Sequence, residues 1–236
     1  MDYNIVSIDP SLISTALVVS SGNSFKIFNY CRESKVFGKT GITKWFKMAE
    51  QYVTYRFIEY RSFSNYSDGE LIKLKDYDKI SDSIISDILS NIDTSMPTKI
   101  GIEGYSFGSK SGDIIDLVTF STILRKKLFD LVSEDIMVIS PSTLKLEACK
   151  LTYDPIIKNV GKKTKEEYRN NLGISGGKFI KSDMHLVISE NKTWNDYWTN
   201  HCKTISADVS GMSTFPKPYE DVNDAVILYH IMEHKI

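Results

Sequence analysis

A chain of 236 residues with 42% hydrophobic and 25% charged side chains can build one sizeable α/β domain around its own core, or that domain with elaborations. Its net charge of −1 excludes a generally adhesive polycation, so any attraction to nucleic acid must come from a local patch. No stretch approaches the roughly eighteen apolar residues of a membrane span, the start carries Asp2, Asp9 and Pro10 without a basic segment, and Cys31, Cys149 and Cys202 lack paired or zinc-like spacing. The expectation is a cytoplasmic protein with no signal peptide and reduced thiols.

In chain order, strands are expected near residues 3–9, 13–20 and 24–31 as an antiparallel meander. The first closes on Asp9, where the run I-V-S-I-D-P-S turns over. Residues 42–60 and 79–93 read as helices, the second with Ile80, Ile84, Ile85, Ile88 and Leu89 at helical spacing. In T-K-I-G-I-E-G-Y-S-F, residues 98–107, Ile100 and Ile102 fill one strand face and Glu103 stands at the carboxyl end. A long apolar helix over 113–132, a strand over 135–139 and Pro141 in the first turn of another helix follow. The last helix opens with Y-E-D-V-N-D-A, which puts Asp221 and Asp224 three apart on one face. Strands interleaved with helices imply a mixed sheet flanked by helices, with a site at the carboxyl ends of the central strands.

Asp9, Glu103, Asp221 and Asp224 each sit at the edge of an element where an acid serves packing poorly. Singly they have ordinary explanations: Asp9 before Pro10 opens a turn, and Asp221 and Asp224 suit a helix N-cap and first turn. Jointly they match a two-metal site, where several carboxylates offset four positive charges about 4 Å apart. The most basic region runs from Lys145 to Lys181 and includes Lys178 and several glycines, consistent with a loop that orders on a phosphate backbone or with a solvated charged loop. Tyr105 and Phe107 stand close after Glu103, as packing aromatics or as contacts to bases. His230 and His234 are four apart, a metal-compatible spacing better read as dipole contact or exposed surface. Leu117, Phe120, Leu124, Leu128 and Leu131 on the 113–132 helix supply core or, in part, an intersubunit contact.

At these positions the chain resembles the RuvC-like Holliday junction resolvases of the RNase H-like nuclease superfamily, and their phage and viral branch more than the cellular one. I-D-P-S followed by S-T-A resembles the family's opening Asp-Pro-Gly and Thr-Gly segment, I-E-G-Y its strand-end Glu, P-S-T-L-K its Pro and Lys segment, and D-V-N-D-A its closing acids. G-G-K-F-I-K-S-D-M resembles the glycine, lysine and methionine stretch of the family. Ser11 and Ala16 stand where the family carries glycine. The resemblance implies a single 1–236 nuclease domain, an RNase H-like mixed five-stranded sheet flanked by helices, with insertions near 38–97 and 146–175. It implies a Mg2+-dependent endodeoxyribonuclease, Mn2+ able to substitute, that resolves four-way junctions and other branched DNA by paired nicks in the cytoplasm (of the host cell, if phage-encoded). Asp9, bridging the metals, Glu103, Asp221 and Asp224 would be the catalytic metal ligands. Lys145 and Lys181, with Lys178 the alternative to Lys181, would contact DNA and neutralise the scissile phosphate, and Phe107, with Tyr105 second, would stack on a base at the branch point. Two symmetry-related cuts imply a homodimer. The alternatives are an RNase H-like nuclease acting on RNA–DNA hybrids or other DNA, a non-catalytic junction-binding protein, and an ATP-hydrolysing protein of the actin and sugar-kinase type, whose second glycine-rich phosphate segment the chain lacks.

Overall fold

The first three strands, β1 (Asn4–Asp9), β2 (Ser14–Ser21) and β3 (Ser24–Arg32), form the expected antiparallel meander. The computed structural model describes residues 2–32, 40–105, 113–152, 181–209 and 217–235. Three further strands, β4 (Thr54–Ile58), β5 (Thr98–Glu103) and β6 (Ile136–Ile139), complete a mixed sheet of order β4-β3-β2-β1-β5-β6. β5 lies parallel to β1, β6 parallel to β5, and β4 parallel to β3. The helices are α1 (Thr40–Ala49), α2 (Tyr66–Leu89), α3 (Asp113–Leu131), α4 (Pro141–Thr152), α5 (Lys181–Glu190), α6 (Tyr197–Val209) and α7 (Tyr219–Lys235). No described helix is long and apolar enough to cross a membrane.

Strand alternation divides the core in two. Val6 and Ile8 of β1, with Leu17, Val19, Ile100 and Ile102, face α2 and α3. Ile5 faces the opposite side, with Ala16, Val18 and Ile27, toward α7 and the helices behind it. Period two then carries Ser7 and Asp9 to the α7 side. In β5 it carries Gly101 there, where an added Cβ would run into Met232 and Leu228, and Glu103 with it. A bare backbone at 101 is what lets α7 lie close against the sheet. α7 is buried on nearly every face from Tyr219 to Met232, because the sheet covers one side and α5 and α6 cover the other through Met184, Val187, Trp198 and Cys202.

Three expectations from sequence are corrected. Residues 42–60 are not one helix: α1 ends at Ala49 and β4 follows, since Thr54, Tyr55, Phe57 and Ile58 are β-branched or aromatic. Arg56 of that strand forks onto Asp87 of α2 at 2.9 and 2.8 Å, and Tyr30 of β3 donates to the same carboxylate at 2.6 Å. The sheet consequently has six strands, with β4 added at one edge. The helix placed at 79–93 begins at Tyr66, where the Asn65 side chain accepts from the Asp68 amide at 3.0 Å; its first half is too polar to reveal the period. His230 is not exposed. It is buried between Asp196 at 2.9 Å and Glu233 at 3.2 Å and stacks on Trp194 with ring centroids 4.0 Å apart, whereas His234 is exposed. On α3, Phe120, Leu124 and Leu128 pack into the core against α2, while Leu131 is exposed.

Candidate metal centre and its cleft

Asp9 and Glu103 end neighbouring parallel strands in register, Ile8 lying opposite Ile102. Two carboxylates at the carboxyl edge of the sheet are therefore adjacent by construction. The third comes from α7. Ser7 donates from Oγ to the Ala225 carbonyl at 2.7 Å, tying β1 to the helix one residue beyond Asp224. On the far side of the helix, Asn223 accepts from Trp198 Nε1 at 2.9 Å and from Cys202 Sγ at 3.6 Å, and its amide lies 3.3 Å from His185 Nδ1. With Asn223 held away from the sheet, Asp221 and Asp224 turn toward it.

Carboxylate oxygens of Asp9, Glu103 and Asp224 lie within 4.8 Å of one another. Asp221 stands outside that group, but its charge acts on Asp9. Burial, and then the charges of Glu103, Asp224 and Asp221, hold Asp9 well above the usual carboxylate range. Glu103 is pushed up to about 7, by burial first and Asp224 second. Asp224 is raised by burial against the opposing pull of Lys181. These buried acids repel one another, and like charges without compensation favour proton uptake.

Compensation comes from two lysines. Lys181, opening α5, pairs with Asp224 and lies 3.7 Å from Glu220; Lys217 pairs with Asp221 and lies 3.5 Å from Glu220. Both stay fully protonated, because the acids outweigh burial, which acts in the opposite sense. The sequence reading did not include Lys217 or Glu220. The available signal was Lys217 one helical turn before Asp221, with Pro218 marking the helix start.

Lys145, half-buried on α4, is near enough for its charge to favour ionised Glu103. Tyr105 lies along α3: its hydroxyl is 3.4 Å from both the Val118 carbonyl and Thr122 Oγ1, and the Arg125 guanidinium sits 4.5 Å from its ring. Phe107 and Lys178 fall outside the described residues.

A divalent cation fits this donor set. Every available donor is a carboxylate oxygen, as hard cations require, and Asp221 Oδ2 and Asp224 Oδ1 are buried without a hydrogen-bond partner among the described residues. Such orphaned acceptors are rare unless something else satisfies them. The acids open onto a cleft of about 790 Å³ whose lining runs from Asp9, Glu103 and Asp221 to Arg32, Tyr60 and Phe63.

No protein-family model matches the chain, and no curated protein matches it in sequence. Among solved structures, a Thermus thermophilus RuvC structure aligns at 8% identity over 98% of this chain and 96% of that one, with a TM-score of 0.42. T. thermophilus RuvC in complex with a Holliday junction substrate aligns at 7% identity over 99% and 96%, with a TM-score of 0.41.

Proposed function

We propose that this protein is a divalent-metal-dependent, structure-specific endodeoxyribonuclease that nicks branched DNA, four-way junctions above all, as a homodimer. The observation that carries this reading is the convergence of Asp9, Glu103 and Asp224 within 4.8 Å, beside buried carboxylate oxygens that no described group satisfies. The branched substrate rests on the sequence motifs, whose acids are these same residues. The two-fold symmetry of a junction calls for two such sites, and the 1–236 chain would act as one nuclease domain.

Asp9, Glu103, Asp221 and Asp224 would hold the metal, Mg2+ with Mn2+ able to substitute, and when bound it would supply charge neutralisation of the phosphate and activation of water. The chain's own residues do the rest. Lys181 and Lys217, held at the rim by acids they would share with the metal, turn to the scissile phosphate and its leaving oxygen, and Lys145 adds positive charge behind Glu103. The sheet edge and α7 keep bulk water from the carboxylates, which strengthens every charge interaction there.

The test is cleavage of matched four-way junction, three-way junction, flap, linear duplex and RNA–DNA hybrid with Mg2+, wild type beside Asp9→Asn. Paired nicks in the four-way junction that vanish in the variant, with junction binding retained, are expected. Preference for the hybrid would move the assignment to RNase H-type substrates, and absence of metal-dependent cleavage on all five would sink the enzyme reading.

A further inference from the structure

Beyond the acids, the cleft continues along a wall made by the end of β3, the segment after β4 and the start of α2. This wall is anchored to the turn that follows Asp9: the Arg32 amide donates to the Ile13 carbonyl at 3.2 Å, and the Tyr60 hydroxyl donates to the Leu12 carbonyl at 3.0 Å. Its cations differ in how they are used. Arg61 pairs with Asp76 at 2.6 Å, and Lys73 with Asp116 at 3.0 Å and Glu70 at 3.2 Å. Arg32 has no carboxylate partner among the described residues. Its guanidinium carbon sits over the Tyr60 ring, 3.6 Å from the centroid, with Nε buried and without a hydrogen-bond partner among the described residues. Arg32 thus lines the cleft with its charge unneutralised by a paired acid and its position set by an aromatic ring.

A second feature of the wall points the same way. Phe63 is half exposed in an otherwise polar loop and lines the cleft. Its ring rests on α2 at Gly69, where a Cβ would come within 2.7 Å of it. Glycine inside a helix is unfavourable relative to alanine, and here it makes the seat for an exposed ring.

We propose that this arm of the cleft binds an unpaired segment of the nucleic-acid substrate, with Arg32 holding a backbone phosphate and Phe63 stacking on a base. Guanidinium matches phosphate geometry, and an aromatic platform beside a cationic groove takes any unpaired base. The inference rests on the nuclease reading of the neighbouring acids, and it gives Arg32 and the segment between β4 and α2 a role: they guide a displaced strand toward Asp9.

The test is equilibrium binding of a fluorescein-labelled single-stranded oligonucleotide and a labelled four-way junction, in EDTA so that nothing is cut. Arg32→Met keeps the alkyl stem over Tyr60; it is expected to weaken oligonucleotide binding about tenfold and to flatten the salt dependence by about one phosphate contact. Phe63→Leu weakens binding with the salt slope unchanged. Gly69→Ala keeps every side chain of the cleft and displaces the ring, and is expected to weaken binding with a denaturation midpoint, measured on the same sample, that stays within the folded range of the wild type. Wild-type affinity in all three variants, or no binding of either probe by the wild type, overturns the proposal. If the arm variants bind like wild type while Asp9→Asn still abolishes cutting, the arm falls and the nuclease stands; weakened binding by the variants, with a wild type that cuts nothing in Mg2+, leaves the arm and removes the nuclease.

Discussion

Glu103 has the most informative protonation behaviour in the site. Its ordinary value near 4.5 rises to about 7 on burial beside Asp224, so between those two values the folded protein binds a proton that the unfolded chain releases. Stability from this group is therefore present below pH 4.5 and lost as pH rises through about 7. The full shift corresponds to on the order of 3 kcal/mol. Glu103→Gln should thus match the wild type at pH 5 and exceed it in metal-free denaturant midpoints at pH 8, with the gap closing when Mg2+ is added. Lys217 works in the opposite sense. Lys217→Met leaves Asp221 without its cation, and the pair is part buried, so roughly 1–2 kcal/mol should be lost in EDTA. Under the nuclease reading, kcat should fall on the order of 100-fold even at saturating Mg2+, as for loss of one charge-stabilising donor; unchanged kcat would confine Lys217 to a structural role. Asp9 and Glu103 were legible in the sequence because each ends an apolar run, and Asp221 and Asp224 because they stand three apart at the opening of an apolar helix and complete the set of four. Lys217 was not, because a lysine ahead of a helix is ordinarily solvated and only the fold brings it to Asp221.

At the scale of elements, the site depends on how near α7 comes to β5. Gly101→Ala adds a methyl group against Met232 and Leu228, and a crowded core of this kind costs about 1–3 kcal/mol. Chemical denaturation should register that loss, and since Glu103 lies two residues along the same strand face, metal affinity measured by calorimetry should weaken with it. Destabilisation with unchanged metal affinity would show that α7 repacks without moving its acids. The strands β1, β2, β3 and β5 and the helix α7 could be read from sequence because local pattern and tertiary role agree in them. β4 could not. Its five residues follow a helix closely, and it is recruited by pairing with β3 and by the Arg56–Asp87 fork, neither of which leaves a periodic trace. The first half of α2 was hidden for a related reason: its buried face carries Gly69 and Asp76 while Leu71 and Leu74 are exposed, so no apolar stripe marks it.

In the whole molecule, the acids lie where the carboxyl edge of the sheet meets α7. Asp9 and Glu103 belong to the sheet, Asp221 and Asp224 to α7, and Lys181 to α5, so a cation held by the acids would bind the sheet to the helical layer behind it. Any ligand that binds only the folded state adds RT ln(1 + [L]/Kd), about 2.7 kcal/mol at a hundredfold excess over Kd. For a chain of this length each kcal/mol moves the melting temperature by about 2–4 °C, so saturating Mg2+ should raise Tm by about 5–10 °C over EDTA in scanning fluorimetry. Asp9→Asn makes the opposing pair of predictions. Removing one of several mutually repelling buried charges should raise the metal-free Tm, and removing a ligand should erase most of the Mg2+ increment. A structural acid would behave otherwise, since its loss would lower Tm in EDTA and leave the response to Mg2+ intact. An undiminished Mg2+ increment in Asp9→Asn would place the stabilising cation elsewhere on the molecule, and the sheet would then be joined to α7 by the Ser7–Ala225 hydrogen bond and core packing without help from a metal.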